Sequence, residues 1–315
     1  MPTRYRGITP ARRPVTAAAA LCCATALALA GCTSGSSSNA TQPSPGDTSA
    51  APTPAALHWR SCNLRGAPAQ CASLQVPLDH RNPGGRKITL ALSMVPATAP
   101  AAQRKGDMLV NPGGPGVGGL TLAPSVAYGL DRRVASKYNI IGFDPRGAGQ
   151  SAPALHCDPS FFSGVRPDYV PANQREEQVL IARAKRYAAG CQRRFGWLLP
   201  FMTTQDTARD MDYIRAALGQ QQISYFGYSY GTYLGEVYAT LFPHRVRRMV
   251  LDSTVDPTGA WYKDNISQDY AFEGRIEAFF SWVAAHNSVY RLGISRAQVE
   301  QAWYRARAAL ESHPI

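Results

Sequence analysis

Across residues 223–241 the sequence changes periodicity over a single five-residue turn, and that junction restricts the fold more than any other feature. Ile223-Ser224-Tyr225-Phe226 reads as a short buried strand, and Tyr230 to Leu241 as a helix stopped by Pro243. Between them lies Gly227-Tyr228-Ser229-Tyr230-Gly231. A strand that turns directly into a helix lifts the central side chain clear of the sheet, and small residues on either side avoid clashes. Ser229 is therefore the candidate nucleophile, with Gly227 and Gly231 as the flanks of the elbow. The helix N-terminus beside it favours developing negative charge.

The rest of the chain supports an alternating strand and helix architecture. Ala72 to Leu78 and Lys87 to Val95 read as an opening hairpin turned by Asn82-Pro83-Gly84-Gly85, with Ile88, Leu90, Leu92 and Met94 on one face. Met108 to Val110, Tyr138 to Phe143 and Arg248 to Leu251 are short apolar runs of the kind that form parallel strands buried on both faces. Thr204 to Leu218 carries Ala208, Met211, Ile214 and Leu218 at helical spacing, with Gly219 at the stop. The expected class is α/β, a mostly parallel sheet with helices on both faces. After Trp261 the pattern becomes helical. Phe272, Ile276, Phe279, Phe280 and Val283 share a stripe read as packing, and Ser295 caps a second helix through Val299, Trp303, Ala306 and Leu310.

Two loops stand near the elbow in this reading. Asn111-Pro112-Gly113-Gly114-Pro115-Gly116-Val117-Gly118-Gly119 follows the Met108–Val110 strand. Acyl transfer passes through an oxyanion that needs two preorganised N–H donors. One normally follows the nucleophile, here Tyr230. The other comes from such a glycine loop, here Gly114 with Gly113 behind it. No Gly-Lys-Ser/Thr follows, which argues against a phosphate loop. The second loop, Asp144-Pro145-Arg146-Gly147-Ala148-Gly149-Gln150-Ser151, reads as structural, its Asp and Arg tying loops together. No cysteine or histidine pairing suggests a metal site, and no cofactor is expected.

The chain has a formal charge of +12, of which Arg4, Arg6, Arg12 and Arg13 contribute four, and no acid accompanies them in the first 31 residues. No nucleic-acid-binding motif accompanies the charge, so a nucleic-acid partner is not expected. Those arginines precede an apolar run from Val15 to Ala30 that ends Leu29-Ala30-Gly31-Cys32. Residues 1–31 read as a lipoprotein signal peptide, with Cys32 as the lipidated residue after cleavage. Residues 32–56, nearly all Ser, Thr, Pro, Ala and Gly, read as a flexible linker. The expected location is the outer side of the cell membrane, anchored through Cys32, or the medium. Outside the cytoplasm the remaining Cys62, Cys71, Cys157 and Cys191 suggest two disulfides. Of three possible pairings, Cys62–Cys71 and Cys157–Cys191 close the smaller loops.

Taken together, Tyr225 to Tyr233, Asn111 to Gly116 and Asp144 to Ser151 resemble the secreted bacterial tripeptidyl aminopeptidases, α/β-hydrolases related to prolyl iminopeptidases. Phe242-Pro243, Arg248 to Asp252 and Val255-Asp256-Pro257 continue the likeness, over roughly residues 57 to 315. The resemblance implies release of short peptides from substrate N-termini through an acyl-enzyme on Ser229, with the Gly114 and Tyr230 amides as the oxyanion hole. Gly118 stands where the family usually has Ser, and Ser253 where Gly is usual.

In this fold the acid and then the histidine follow the nucleophile. After Ser229 the histidines are His244, His286 and His313, none in a loop after a late strand, and Asp252 and Asp256 come one strand early. The sequence therefore predicts the N-terminal part of such a fold: residues 57–260 as hydrolase core and 261–315 as the beginning of a helical lid. It also predicts an unpaired apolar edge at Arg248–Leu251 and a separately encoded C-terminal half as a partner. A catalytically inactive, peptide-binding lipoprotein and an esterase of the same fold are the alternatives.

Overall fold

The computed structural model describes residues 56–163 and 167–313. The signal peptide, Cys32 and all but the last residue of the linker lie outside the described residues.

One seven-stranded mixed sheet organises the protein, in the order β1-β2-β3-β5-β4-β6-β7. Its strands are β1 (Arg60–Leu64), β2 (Ala67–Pro77), β3 (Lys87–Val95), β4 (Asp107–Asn111), β5 (Asn139–Phe143), β6 (Ile223–Tyr228) and β7 (Val246–Asp252). The first three form an antiparallel meander, and β3 joins β5 antiparallel. From β5 onward β4, β6 and β7 are parallel. The opening hairpin is present, but its first strand starts at Ala67 rather than Ala72. A further strand, β1, precedes it through the Arg65-Gly66 turn, where both residues have positive φ. With its alternating exposure and few large apolar residues, β1 gave the sequence no strand signal.

The parallel strands bury both faces, which explains their continuous apolar runs. Leu109 and Ile141 face a core shared with Met211, Ile214, Leu234 and Tyr238. Those four come from α4 (Thr204–Ala217) and α5 (Tyr230–Leu241). The alternate residues Met108, Val110 and Ile140 face Ala123 and Val126 of α1 (Leu122–Gly129) on the other side. Helix α2 (Arg132–Ala135) then leads into β5.

Between β5 and α4 runs α3 (Gln174–Phe195), which the sequence reading left unassigned because little but Gly190 is buried along it. The Cys157–Cys191 disulfide clips it to the preceding loop, and Cys62–Cys71 crosses β1 and β2. Both pairings are those that close the smaller loops.

After β7 come α6 (Tyr262–Ala285), α7 (Asn287–Tyr290) and α8 (Arg296–Ser312), with α6 packed on α8. Their common core is Phe280, Val283 and Val299. The apolar stripe is therefore only partly used for packing. Phe272, Phe279, Trp303 and Leu310 are about half exposed or more, because a two-helix hairpin offers one narrow seam. Among the described residues no helix is long and apolar enough to cross a membrane.

Candidate active site

Ser229 sits between the last residue of β6 and the first of α5, with φ 53° and ψ −126°. A serine in the left-handed half of φ space is strained and persists only where its surroundings impose it. Here the constraints can be named. The Ser229 amide donates to the Asp252 carbonyl of β7 at 3.0 Å, and its carbonyl accepts from the Thr232 amide at 2.8 Å. The side chain at this apex is exposed while Gly227, Tyr230 and Gly231 around it are buried. A Cβ on Gly227 would lie 2.4 Å from the Gly231 oxygen, so the turn closes only with glycine on its inner side.

The glycine loop after β4 presses against this elbow. A Cβ on Gly113 would stand 2.5 Å from the Tyr228 oxygen and 2.9 Å from the Tyr230 nitrogen, and Gly113 has φ +91°. Backbone therefore meets backbone with no room for a side chain. Asn111, buried at the end of β4, accepts the Gly113 amide on its Oδ1 at 2.9 Å. That bond occupies Gly113 and leaves Gly114 as the next amide along the loop. Tyr230 is the first residue of α5, where an amide has no helical carbonyl to bond.

Three aromatic rings flank the elbow. Tyr230 and Tyr233 of α5 lie 5.5 and 5.7 Å from Trp261, which sits at the start of α6 and is 46% exposed. The Tyr230 hydroxyl is within 2.9 Å of the Thr204 hydroxyl at the start of α4, and burial raises the phenol's pKa. Sequence reading assigned no such position to Trp261. Its placement follows from the β7–α6 connection folding back over α5, where the Val255 amide donates to Thr232 Oγ1.

The Asp144–Ser151 loop is structural, as the sequence suggested. Asp144 Oδ1 and Oδ2 accept from the Leu120 and Gln150 amides. Arg146 is buried and donates to both oxygens of Asp210, at 2.7 and 2.6 Å, and to the carbonyls of Pro77, Leu78 and Phe201. His80 Nε2 lies 3.0 Å from Asp210 Oδ1 and 2.8 Å from Arg146 Nη2. That buried group went unnoticed in sequence, since His80 and Asp210 are 130 residues apart and neither belongs to a motif. The two departures from the expected pattern also acquire a physical setting. Ser253 has φ +62°, a conformation suited to glycine, and a Cβ on Gly118 would stand 2.9 Å from Asp144 Oδ1.

The later histidines lie in other settings. His286 Nδ1 bonds the Trp282 carbonyl, His313 Nδ1 lies 3.1 Å from Ser312 Oγ, and His244 is exposed beside β7. Asp252 receives the Ser253 hydroxyl on its carboxylate. Among the described residues no group of three or more His, Cys, Asp or Glu is arranged to hold a metal ion.

A mixed sheet with β5, β4, β6 and β7 parallel, a strained serine between strand and helix, and a glycine loop against its backbone define the hydrolase class of α/β proteins. The chain belongs to the α/β-hydrolase fold family, whose sequence model matches residues 108–303. It is 44% identical over 270 residues to the tripeptidyl aminopeptidase of Streptomyces lividans, covering 83% of this chain and 50% of that protein. It is 36% identical over 241 residues to the serine protease Hip1 of Mycobacterium bovis, covering 75% and 45%. To a carboxylesterase B of Mycobacterium tuberculosis it is 38% identical over 274 residues, covering 82% and 51%. The chain spans about half the length of the curated relatives it matches.

Proposed function

We propose that this chain carries the nucleophile-bearing part of an exported serine peptidase that releases short peptides, tripeptides above all, from substrate N-termini. The carrying observation is the geometry of Ser229: exposed at a strained strand-to-helix turn, with the Gly113–Gly114 backbone alongside. The relatives named tripeptidyl aminopeptidase and serine protease supply the peptide substrate class.

In this reading Ser229 Oγ attacks the scissile carbonyl and gives up its proton to a general base. The carbonyl oxygen becomes an oxyanion held by the Gly114 and Tyr230 amides at the positive end of α5. Collapse of the intermediate breaks the C–N bond, the amine leaves with the base's proton, and water then hydrolyses the acyl-enzyme. The acid and the base come from residues outside those described, supplied by further sequence or a separate C-terminal half. Helices α6–α8 act as the beginning of a lid over residues 57–260. Lipid on Cys32 anchors the protein on the outer membrane face.

A fluorophosphonate probe tests the nucleophile. Ser229 is expected to be labelled strongly once a C-terminal half is supplied, weakly without it, and not at all in Ser229→Ala. Equal labelling with and without that half means a base lies within this chain. Turnover of a tripeptide anilide over a p-nitrophenyl ester supports the peptidase. The reverse preference supports an esterase, the reading favoured by the carboxylesterase relative. Failure of globomycin to block maturation at Cys32 removes the lipid anchor.

A further inference from the structure

Charge is distributed unevenly along the strand direction. At the N-terminal ends of the parallel strands, basic residues from three strand entries converge. Lys105 precedes β4 and Lys137 precedes β5, and the Lys105 amide donates to the Lys137 carbonyl at 2.7 Å. Arg247 at the start of β7 reaches across β6. Its guanidinium carbon lies 6.0 Å from the Tyr138 ring, and its Nη1 is 3.7 Å from where a Cβ on Gly106 would stand. Arg104 is fixed beside them by a bond from its Nε to the Ala99 carbonyl.

The acids in this region are already engaged. Asp107 is buried against Asn139, Asp131 pairs with Arg133, and Asp212 pairs with Arg215 and Arg245. Arg104, Lys105 and Arg247 are exposed and Lys137 is partly so. The opposite rim, where Ser229 lies, carries Asp252, Asp256 and Asp264 beside the serine, with Lys263 bonded to Asp256, and exposed Arg86 and Lys87 farther along, past the end of β5. A strand of five to seven residues separates the two rims by roughly 17–23 Å.

We infer that the Lys105–Lys137–Arg247 face is a docking surface for an anionic phospholipid bilayer, which holds the molecule with Ser229 turned away from the membrane. The inference extends the reading of an exported, anchored protein and supplies its orientation. An anionic leaflet attracts basic residues within a Debye length of its surface and repels the carboxylates beside Ser229, so the Lys105–Lys137–Arg247 face is the one it holds.

The test uses the mature chain, residues 32–315, with Cys32→Ser, so that neither lipid nor the arginines and apolar run of residues 1–31 take part, in co-sedimentation with vesicles. Binding is expected on phosphatidylglycerol-containing vesicles, falling with added salt, and not on pure phosphatidylcholine. K105E/K137E/R247E is expected to weaken it at least about tenfold. R175E/K185E/R193E on α3, with the same change in net charge, is expected to leave most of it. Should the charge reversal disturb folding, the milder K105Q/K137Q pair reads the same effect. Hydrogen exchange on bound vesicles is expected to slow at residues 104–106 and 137. Equal loss in both triple variants, no binding to anionic vesicles, or protection at 252–264 instead would overturn the inference. None of these readouts uses Ser229, so a failure here is separable from failure of fluorophosphonate labelling.

Discussion

The indole of Trp261 packs 5.5 Å from the ring of Tyr230, the residue that follows the candidate nucleophile. This contact joins the first residues of the helical hairpin to the N-terminal turn of α5. Tyr233 completes the cluster one turn along. Trp261→Ala is expected to cost about 1–3 kcal/mol in urea unfolding, since an aromatic pair adds to the area it buries. Faster hydrogen exchange confined to 252–265 is the expected local signature. An unchanged midpoint with unchanged exchange would show that the ring is only resting there.

The glycine loop offers a sharper comparison. Gly113→Ala places a methyl 2.5 Å from the Tyr228 oxygen, whereas a Cβ at Gly116 meets nothing within 4 Å, although both residues have positive φ. Gly116→Ala is expected to cost only the backbone strain, about 1 kcal/mol. Gly113→Ala should cost at least about 2 kcal/mol more and abolish labelling of Ser229. Equal thermal shifts for the two variants would contradict the close approach of loop and elbow.

Arg146 and Asp210 form a buried ion pair in which side-chain exposure is 1% on each partner. Removing one partner strands the other charge, so Arg146→Met is expected to destabilise by about 3–5 kcal/mol. The double variant Arg146→Met, Asp210→Leu should recover part of that loss, because no uncompensated charge remains. A double variant as unstable as the sum of its singles would argue that Arg146 acts through its carbonyl contacts instead.

Glu236 lies two turns down α5 from Ser229, and one of its carboxylate oxygens is buried with no hydrogen-bond partner. Burial, and then the nearby Asp256 charge, raise its pKa above 4.5. The folded state thus holds this proton more tightly than the unfolded one. Stability from this group is present below pH 4.5 and is lost as pH rises through the raised folded value. Glu236→Gln is expected to raise the melting temperature at neutral pH and to have no effect in acid. A gain independent of pH would refute the assignment.

Ser253 holds φ +62° with a side chain that glycine would not carry. Ser253→Gly removes that strain and loses the bond to Asp252, with a net gain of about 0.5–1 kcal/mol expected. Chemical denaturation reads this directly, and a loss of stability would mean that the hydroxyl bond outweighs the strain.

Local pattern sufficed for the elbow and the elements around it. The change from strand to helical periodicity located β6, α5 and the serine between them, because a glycine-flanked turn is encoded by adjacent residues. The parallel strands were equally visible, since burial on both faces demands unbroken apolar runs. Proximity in sequence gave both disulfides. Beyond local reach were β1, whose strand character comes from pairing with β2, and α3, which buries too little to show a stripe. Helices α6 and α8 misled for a related reason: apolar spacing marks a surface able to pack, and only tertiary structure decides that Phe280 is covered while Phe272 is exposed. The His80–Arg146–Asp210 group, the Trp261 contact and the convergence of Lys105, Lys137 and Arg247 all join residues far apart in the chain. No window of sequence contains such pairs, and chain connectivity through the sheet is what brings them together.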